Sequence, residues 1–493
     1  MLTKKSTHQS EMEFVSIEEL VPADHLLRKI AAAIDFSFIY EKVQGLYCLD
    51  NGRPSVDPVV LFKMLILGYL FGIRSERQLV KEIQVNVAYR WFLGFGLRDK
   101  IPDHSVFSQN RRRRFKGSTV FQEVFDAIVV LAIERGLVDG RTLYTDSTHL
   151  KADANTHRFE KQRVEHSTRS YLDELDADVA QDRVAHGKKP LAPVEREPEQ
   201  KKTRVSTTDP DSGYMFRKGK PQGFFYLDHR TVDGRHNIIT DVHVTAANVH
   251  DSIPYLDRLD RQRERFGFDV QAVGLDAAYF TPAICKGLAE REIYAVMPYT
   301  RPGGRKDALK KTDFVYDEHF DCYLCPQDRV LKYATTNREG YREYKSDPEH
   351  CRDCPILKRC TLSKDHCKVI SRHIWEDYKE AVVEHRYETR GKAIYQRRKE
   401  TVERSFADAK QLHGHRYARM RGLENVREHC LMAAACQNIK KLALRSGRHN
   451  TNRPFGALQR SLALLGGLWR ALASAMASPS GQQTQPAQQL ATA

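Results

Sequence analysis

No stretch of this 493-residue chain reaches 18 uncharged apolar residues, so the sequence offers no transmembrane helix. The opening MLTKKSTHQSEMEF has no apolar h-region, which argues against a secretory signal and for a cytoplasmic protein. Internal repeats are absent. Acidic residues are the scarcer charged class: 64 Asp and Glu stand against 79 Lys and Arg, a net charge of +15. An excess of that size favours a polyanionic partner, most often nucleic acid. Scattered cysteines are few. Only Cys48, Cys285, Cys430 and Cys436 stand alone; the other six, Cys322, Cys325, Cys351, Cys354, Cys360 and Cys367, share one stretch. In a reducing compartment, such clustered pairs point to metal rather than disulfides.

Apolar residues make up 41% of the chain, too many for a wholly disordered protein. At roughly 100–200 residues per domain, the length allows two to four domains. Residues 1–135 read as a helical N-terminal region. Asp57-Pro58 sets an N-cap and a first-turn proline before the apolar run Val59–Phe71. A second helix is predicted over Ser75–Phe92, and a third from Asp103 into Arg111, Arg112, Arg113 and Arg114. Short helices ending in a basic one resemble a helix-turn-helix module, with the arginines as phosphate contacts or a solvated face.

Beyond residue 136 the pattern becomes α/β. Thr142–Asp146 reads as a strand. Residues 158–212 are polar and read as an insertion or mobile linker. Gly223–Val232 and His236–Thr245 read as a hairpin turning at Asp233-Gly234. A helix over Asp251–Phe266, a buried strand over Phe268–Leu275, a helix over Thr281–Arg291 and a strand over Ile293–Met297 follow. After the Cys-rich residues 304–373 come a long helix over Trp375–Leu412 and another over Glu424–Leu444. Residues 446–493 form a low-complexity tail. With the insertions removed, this is the element order of an RNase H-like mixed sheet flanked by helices, its catalytic core split between residues 136–303 and 374–445.

Such a core places one acid on its first strand, one after its fourth and one on the late helix. Asp146, Asp276 and Glu403 occupy those places; Asp153, Asp251, Glu400 and Asp408 are the nearest decoys. Carboxylates suit Mg²⁺ or Mn²⁺, hard cations that prefer oxygen ligands. Two such ions stabilise the attacking and leaving oxygens of an in-line displacement at phosphorus. On a continuous helix, Lys399, Glu403, Phe406 and Lys410 share one stripe.

The stretches GRPSVDPVVLFKMLILGYLFGIRSERQLVKEI, TDSTHLKADAN, TAANVHDS, GLDAAYF and YQRRKETVERSFADAKQLHGHRYARMRGL together resemble DDE transposases of bacterial insertion sequences. The closest likeness is to the branch with a Cys-rich insertion before the last catalytic Glu. The resemblance implies metal-dependent cleavage at the ends of an element and strand transfer into target DNA, with terminal inverted repeats and target duplex as partners. It also implies at least a dimer on DNA, in the cytoplasm with the nucleoid. The family's last motif runs Tyr, two residues, Arg, three residues, Glu, six residues, Lys. Tyr395, Arg398, Glu403 and Lys410 match it except that Arg398 lies one residue too far from Glu403. Either Arg398 is displaced or Lys399 takes the basic role. On an unbroken helix Lys399 is favoured, because a five-residue offset turns about 140° away. Lys410 would contact a phosphate, with Arg404 and Arg416 as weaker candidates. His229, His243 and His250 read as surface or capping residues near the sheet.

Cys322-x2-Cys325 and Cys351-x2-Cys354 are spaced as a structural Zn²⁺ knuckle; Cys360 and Cys367 could replace one pair, and His366 or His373 could contribute. Two alternatives to a transposase stay open on the residues alone: a nuclease on the same scaffold that cuts without joining, and a zinc-containing DNA-binding protein without catalysis.

Overall fold

The computed structural model describes residues 14–48, 54–165, 171–192, 200–216, 219, 221–299, 305 and 307–445. The predicted tail at 446–493 lies outside the described residues.

The N-terminal region is helical, as expected. Asp57 caps the helix Pro58–Leu70 by accepting from the amides of Val59 and Val60, and nine of that helix's thirteen residues are buried. The second predicted helix is instead two: Ser75 caps Glu76–Val85, and Asn86 ends that helix and caps Val87–Leu93. Asn86 takes an extended backbone and spends its side chain on the Tyr89 amide, a choice that asparagine makes readily at caps. The third segment runs as Ser105–Asn110 and then widens into a π-helical turn over Arg111–Phe115.

Strands follow in chain order: β1 (Thr142–Lys151), β2 (Phe159–Glu165), β3 (Gln200–Ser206), β4 (Gly213–Met215), β5 (Gly223–Asp233), β6 (Ile239–Ala246), β7 (Ala272–Gly274) and β8 (Tyr294–Val296). Five more, β9 (Val315–Asp317), β10 (Cys322–Leu324), β11 (Val330–Thr336), β12 (Tyr341–Lys345) and β13 (Val369–His373), lie in the Cys-rich stretch. The main sheet has the order β4-β5-β1-β7-β8, with β6 also on β5. β1 is antiparallel to β5 and parallel to β7, and β7 is parallel to β8. β9 to β13 make a separate antiparallel sheet around Phe314, Tyr323, Leu331, Tyr344 and Ile370.

Residues 158–212 depart from the predicted linker. β2 and β3 pair as a ribbon, and between them lies the helix Leu172–Ala185. That helix docks on the Cys-rich sheet: buried Asp182 pairs with Arg342 at 2.6 Å, and His186 stacks on Tyr333. The helix also buries Leu175 and Val179 against Ala283 and Trp375, a short apolar stripe that its many charged residues mask in the sequence. The hairpin also differs. Asp233 engages the Gly140 and Arg235 amides with its carboxylate, so the chain turns over the longer Gly234–Ile238 loop, with Asn237 at φ +62°.

One apolar core joins the N-terminal helices (Leu27, Phe62, Phe125), β1 and β5 (Leu143, Tyr226), and the last helix, Leu423–Arg445 (Cys436, Leu442). Among the described residues, no helix is long and apolar enough to cross a membrane.

Candidate active site

The site begins with strand register. β1 and β7 run in parallel with Leu143 beside Val273 and Tyr144 beside Gly274. The pairing ends there, two residues before Asp146 and Asp276, and the two acids are electrostatic neighbours. Close approach demands glycine at 274, since a Cβ there would sit 2.7 Å from the Tyr144 ring. Asp276 leaves the strand and caps the turn Ala277–Tyr279, accepting from the Ala278 amide at 2.8 Å. Asp146 accepts from the Ser147 amide at 2.8 Å.

A third carboxylate enters from the loop after β6. Ser147 Oγ donates to Asp251 Oδ1 at 2.8 Å, and His229 Nδ1 lies 3.8 Å from the same oxygen. Burial pushes the Asp146 carboxyl up to about 6; Arg398 pulls it down, while Asp276 and Asp251 push it further up. Three neighbouring carboxylates offer hard oxygen ligands and are a natural seat for a cation.

Arg398 supplies a charge-assisted contact. Its Nη2 donates to Asp146 Oδ2 at 2.8 Å, and the side chain is buried. The predicted single helix Trp375–Leu412 is broken into Glu376–His385, Thr389–Arg397, a 3-10 turn over Arg398–Glu400, and Val402–Leu412. Thr401, at φ −105° and ψ −96°, separates the last two pieces. The break invalidates the helical-phase argument that favoured Lys399: Lys399 points to solvent, and Arg398 reaches the site. The Lys399–Glu403–Phe406–Lys410 stripe is cut at the same place.

Glu403 lies in the first turn of the Val402–Leu412 helix and is exposed. Among the described residues, no hydrogen bond or ion pair links it to Asp146 or Asp276. Its helix is anchored to the sheet on both sides. Lys410 Nζ donates to Thr148 Oγ1 on β1 at 2.6 Å, and burial lowers the Lys410 pKa. Arg230 of β5 sits over the Phe406 ring at 5.1 Å and contacts Ser405 Oγ at 3.3 Å.

Beneath that helix lies a buried polar network. Arg230 Nε donates to Asp228 Oδ2 at 2.8 Å, His415 Nε2 lies 2.7 Å from the same oxygen, and His415 Nδ1 lies 3.3 Å from His429 Nε2. Against the effect of burial, Arg230 and His415 hold the Asp228 carboxyl well below the usual range. Asp228, His415 and Cys430 bring ligand atoms within 4.8 Å of one another, the only such group of three or more among the described residues. Arg230 already supplies positive charge at that point, so this group is better read as structural.

The other candidates separate. Arg111 is largely buried, pairing with Glu428 at 2.7 Å and also with Glu76. Arg114 donates to Asn110 and lies 4.3 Å over the Tyr47 ring; Arg112 and Arg113 are exposed. Arg404 pairs with Asp408 at 2.9 Å, and Asp153 pairs with Arg421 at 3.1 Å. His250 caps Ser252, while His229 is fully buried against Thr245.

In the Cys-rich sheet, burial raises the Cys360 pKa; Lys368 lowers it, and Cys351, Cys325 and Cys354 raise it further. Those four thiols are thus electrostatic neighbours. Cys325 Sγ accepts from the Gln327 amide at 3.4 Å, a contact suited to a thiolate. Cys322 is buried in β10, and the neighbours that raise its pKa after burial are Asp317 and Asp321. Cys367 Sγ instead contacts the Ser346 carbonyl, and His373 Nδ1 accepts from the Trp375 amide.

Residues 15–113 match the family model described as Transposase domain (DUF772), and residues 324–443 match Transposase DDE domain. Both matched segments resemble transposase segments, which is consistent with a DDE transposase of insertion sequences. The second match takes in β11 to β13 of the Cys-rich sheet, Arg398 and Glu403, while Asp146 and Asp276 fall between the two. A comparison with curated proteins gave no match.

The sequence missed two features of this candidate site. Asp251 was set aside as a decoy, although TAANVHDS contains it; only the fold brings it to Ser147. The displaced arginine was visible in the spacing, but the Thr401 break was not.

Proposed function

We propose that this protein cuts DNA strands at the ends of a mobile element and transfers them into target DNA, using Mg²⁺ or Mn²⁺. The observation that carries the reading is the parallel β1–β7 pairing, beyond which Asp146 and Asp276 follow as electrostatic neighbours, in a chain with two segments that match transposase models. The strand order, with β6-β5-β1 antiparallel and β1-β7-β8 parallel, supports an RNase H-like core.

Asp146, Asp276 and Glu403 would hold the metal, and their chemistry fits: hard carboxylate oxygens, two of them in a partly buried cluster with excess negative charge. Divalent ions bound there would stabilise the attacking and leaving oxygens of the phosphodiester. Arg398 orients Asp146 by fixing one oxygen. Lys410, held at Thr148, presents a positive charge to a phosphate beside the site. Arg112 and Arg113 are the arginines of that run left to contact DNA. Zn²⁺ would draw together Cys325, Cys351, Cys354 and Cys360, which are electrostatic neighbours in the Cys-rich region although no three of their sulfurs lie within 4.8 Å of one another. We take the functional protein to be at least a dimer on DNA.

The test is a duplex carrying the gene's own flanking ends, incubated with Mg²⁺ or Mn²⁺. Metal-dependent nicking at the ends, lost in Asp146→Asn and in Glu403→Gln, is expected; joined products distinguish a transposase from a nuclease. Binding without cleavage in every metal would overturn the catalytic reading. Nicking that survives Glu403→Gln would remove Glu403 alone.

A further inference from the structure

A groove of about 1050 Å³ separates the N-terminal helices from the start of the last helix. Arg74, Arg77, Arg112, Lys116, Arg419 and Arg427 line it. Its acids are already engaged: Arg111 pairs with Glu76 and Glu428, and Glu424 accepts from the Gly117 amide. Arg419 is spent on the carbonyls of Ile73 and Gly68. Among the described residues, Arg74, Arg77, Arg112, Lys116 and Arg427 are exposed, and none forms an ion pair. Uncompensated arginines gathered in one concave surface repel one another unless an anion joins them.

The groove connects to the far end of β1. Lys151, the last residue of β1, bridges Tyr417, with the Ala418 amide donating to the Lys151 carbonyl at 2.8 Å. Tyr417 is 44% exposed and has two cations near its ring: Arg74 at 5.0 Å and Lys151 Nζ at 5.6 Å. Back along β1, Lys410 stands at Thr148 and Asp146 lies two residues further. At about 3.3 Å per strand residue, Asp146 to Lys151 spans roughly 17 Å, some five nucleotides at 3.4 Å per strand step.

We propose that these cations form one continuous seat for a DNA backbone, running outward from Asp146 past Lys410, Lys151, Tyr417 and Arg74 into the groove of Arg77, Arg112 and Arg427. This rests on the DNA-processing reading above and adds the path of the duplex. The spacing selects a polymeric anion, because a single phosphate cannot satisfy charges strung along a strand and a groove. The Tyr417 ring, open beside two cations, suits contact with a sugar or an unpaired base near the cut.

The test uses the full-length protein and a short fluorescein-labelled DNA duplex, with anisotropy read from about 50 to 200 mM salt. Wild type is compared with a triple variant, Arg77→Ala, Arg112→Ala and Arg427→Ala. A control removes the same charge elsewhere through Lys42→Ala, Lys188→Ala and Lys332→Ala; all six side chains are exposed. Each lost phosphate contact lowers the salt slope by about 0.9, so the groove variant should lose roughly 2.7 and bind at least tenfold more weakly at low salt. The control should keep the wild-type slope. Equal losses in both variants, or an unchanged groove variant, would overturn the seat while leaving DNA binding intact. Wild type that fails to bind any duplex would overturn both this seat and the reading beneath it. Matching circular dichroism spectra exclude misfolding as the cause.

Discussion

Arg398 Nη2 lies 2.8 Å from Asp146 Oδ2, joining the first candidate acid to the segment just before the last one. The contact exists because the chain is not helical at Thr401; a continuous helix would have turned Arg398 away and Lys399 inward.

That geometry separates two adjacent basic residues. Arg398→Ala should lower metal-dependent strand cleavage by about tenfold or more, whereas Lys399→Ala should change it by less than about threefold. Arg398→Lys should recover only part, since an ammonium cannot reproduce the guanidinium's planar donor geometry. Single-turnover cleavage of an end-containing duplex reads all three. Equal effects at 398 and 399 would contradict the assigned contact.

Arg230, fully buried, bridges Asp228, Ser405 and the Phe406 ring. Removing it strands the Asp228 carboxylate in the core. Arg230→Leu should cost about 3–5 kcal/mol of stability, measurable by urea unfolding. The double change Arg230→Leu, Asp228→Leu should cost less than the single one. A single variant as stable as wild type would show that the network carries no net load.

Acid should destabilise the fold between about pH 6.5 and 4. Burial lowers the pKa of His243, His373 and His413 to about 4 each. The unfolded chain therefore takes up protons first, near the ordinary histidine value of about 6.5. Stability is present above that value and is lost as pH falls toward 4, by up to about 3 kcal/mol per histidine. Asp146 and Asp233, each pushed up to about 6 chiefly by burial, act in the opposite sense and lose stability as pH rises from about 4 to 6. The histidines are more numerous and more strongly shifted, so they set the net direction. Thermal midpoints across this range should fall with pH, and His413→Gln, which can still donate to the Tyr69 carbonyl, should flatten the fall.

The cysteines give a sharper distinction. Cys325→Ser, Cys351→Ser or Cys354→Ser should each abolish zinc retention on elemental analysis, and so should Cys360→Ser. Cys322→Ser should retain it. Chelator should lower the melting temperature of wild type. Protein purified without chelator and free of zinc would contradict the assignment.

Much of this was legible in the sequence. Asp57-Pro58 and Ser75 announce helix starts by a mechanism that acts within one turn. The strands of the main sheet were legible as runs, but the hairpin turn was not: Asp233 binds the Gly140 and Arg235 amides instead of turning with Gly234. What escaped was decided at long range. The helix Leu172–Ala185 looks like linker because its partners, Arg342 and Tyr333, lie more than a hundred residues away. Asp251 looks like any loop acid until Ser147 is set beside it. Asp146 lies on the strand the sequence marked, and Asp276 lies just beyond β7, where it is an electrostatic neighbour of Asp146.

The burial of Leu423–Arg445 bears on how the molecule comes to exist. Fifteen of its twenty-three residues are buried, against partners such as the carbonyl of Ile66 for Cys436 and Arg111 for Glu428, some three hundred or more positions earlier. The N-terminal helices thus leave the ribosome well before the surface that completes their core. Until synthesis passes residue 423, their apolar faces must wait uncovered. Folding to completion is therefore a late event, slow by its long loop closures, and a chain cut short before this helix has no means of finishing the first hundred residues it already contains.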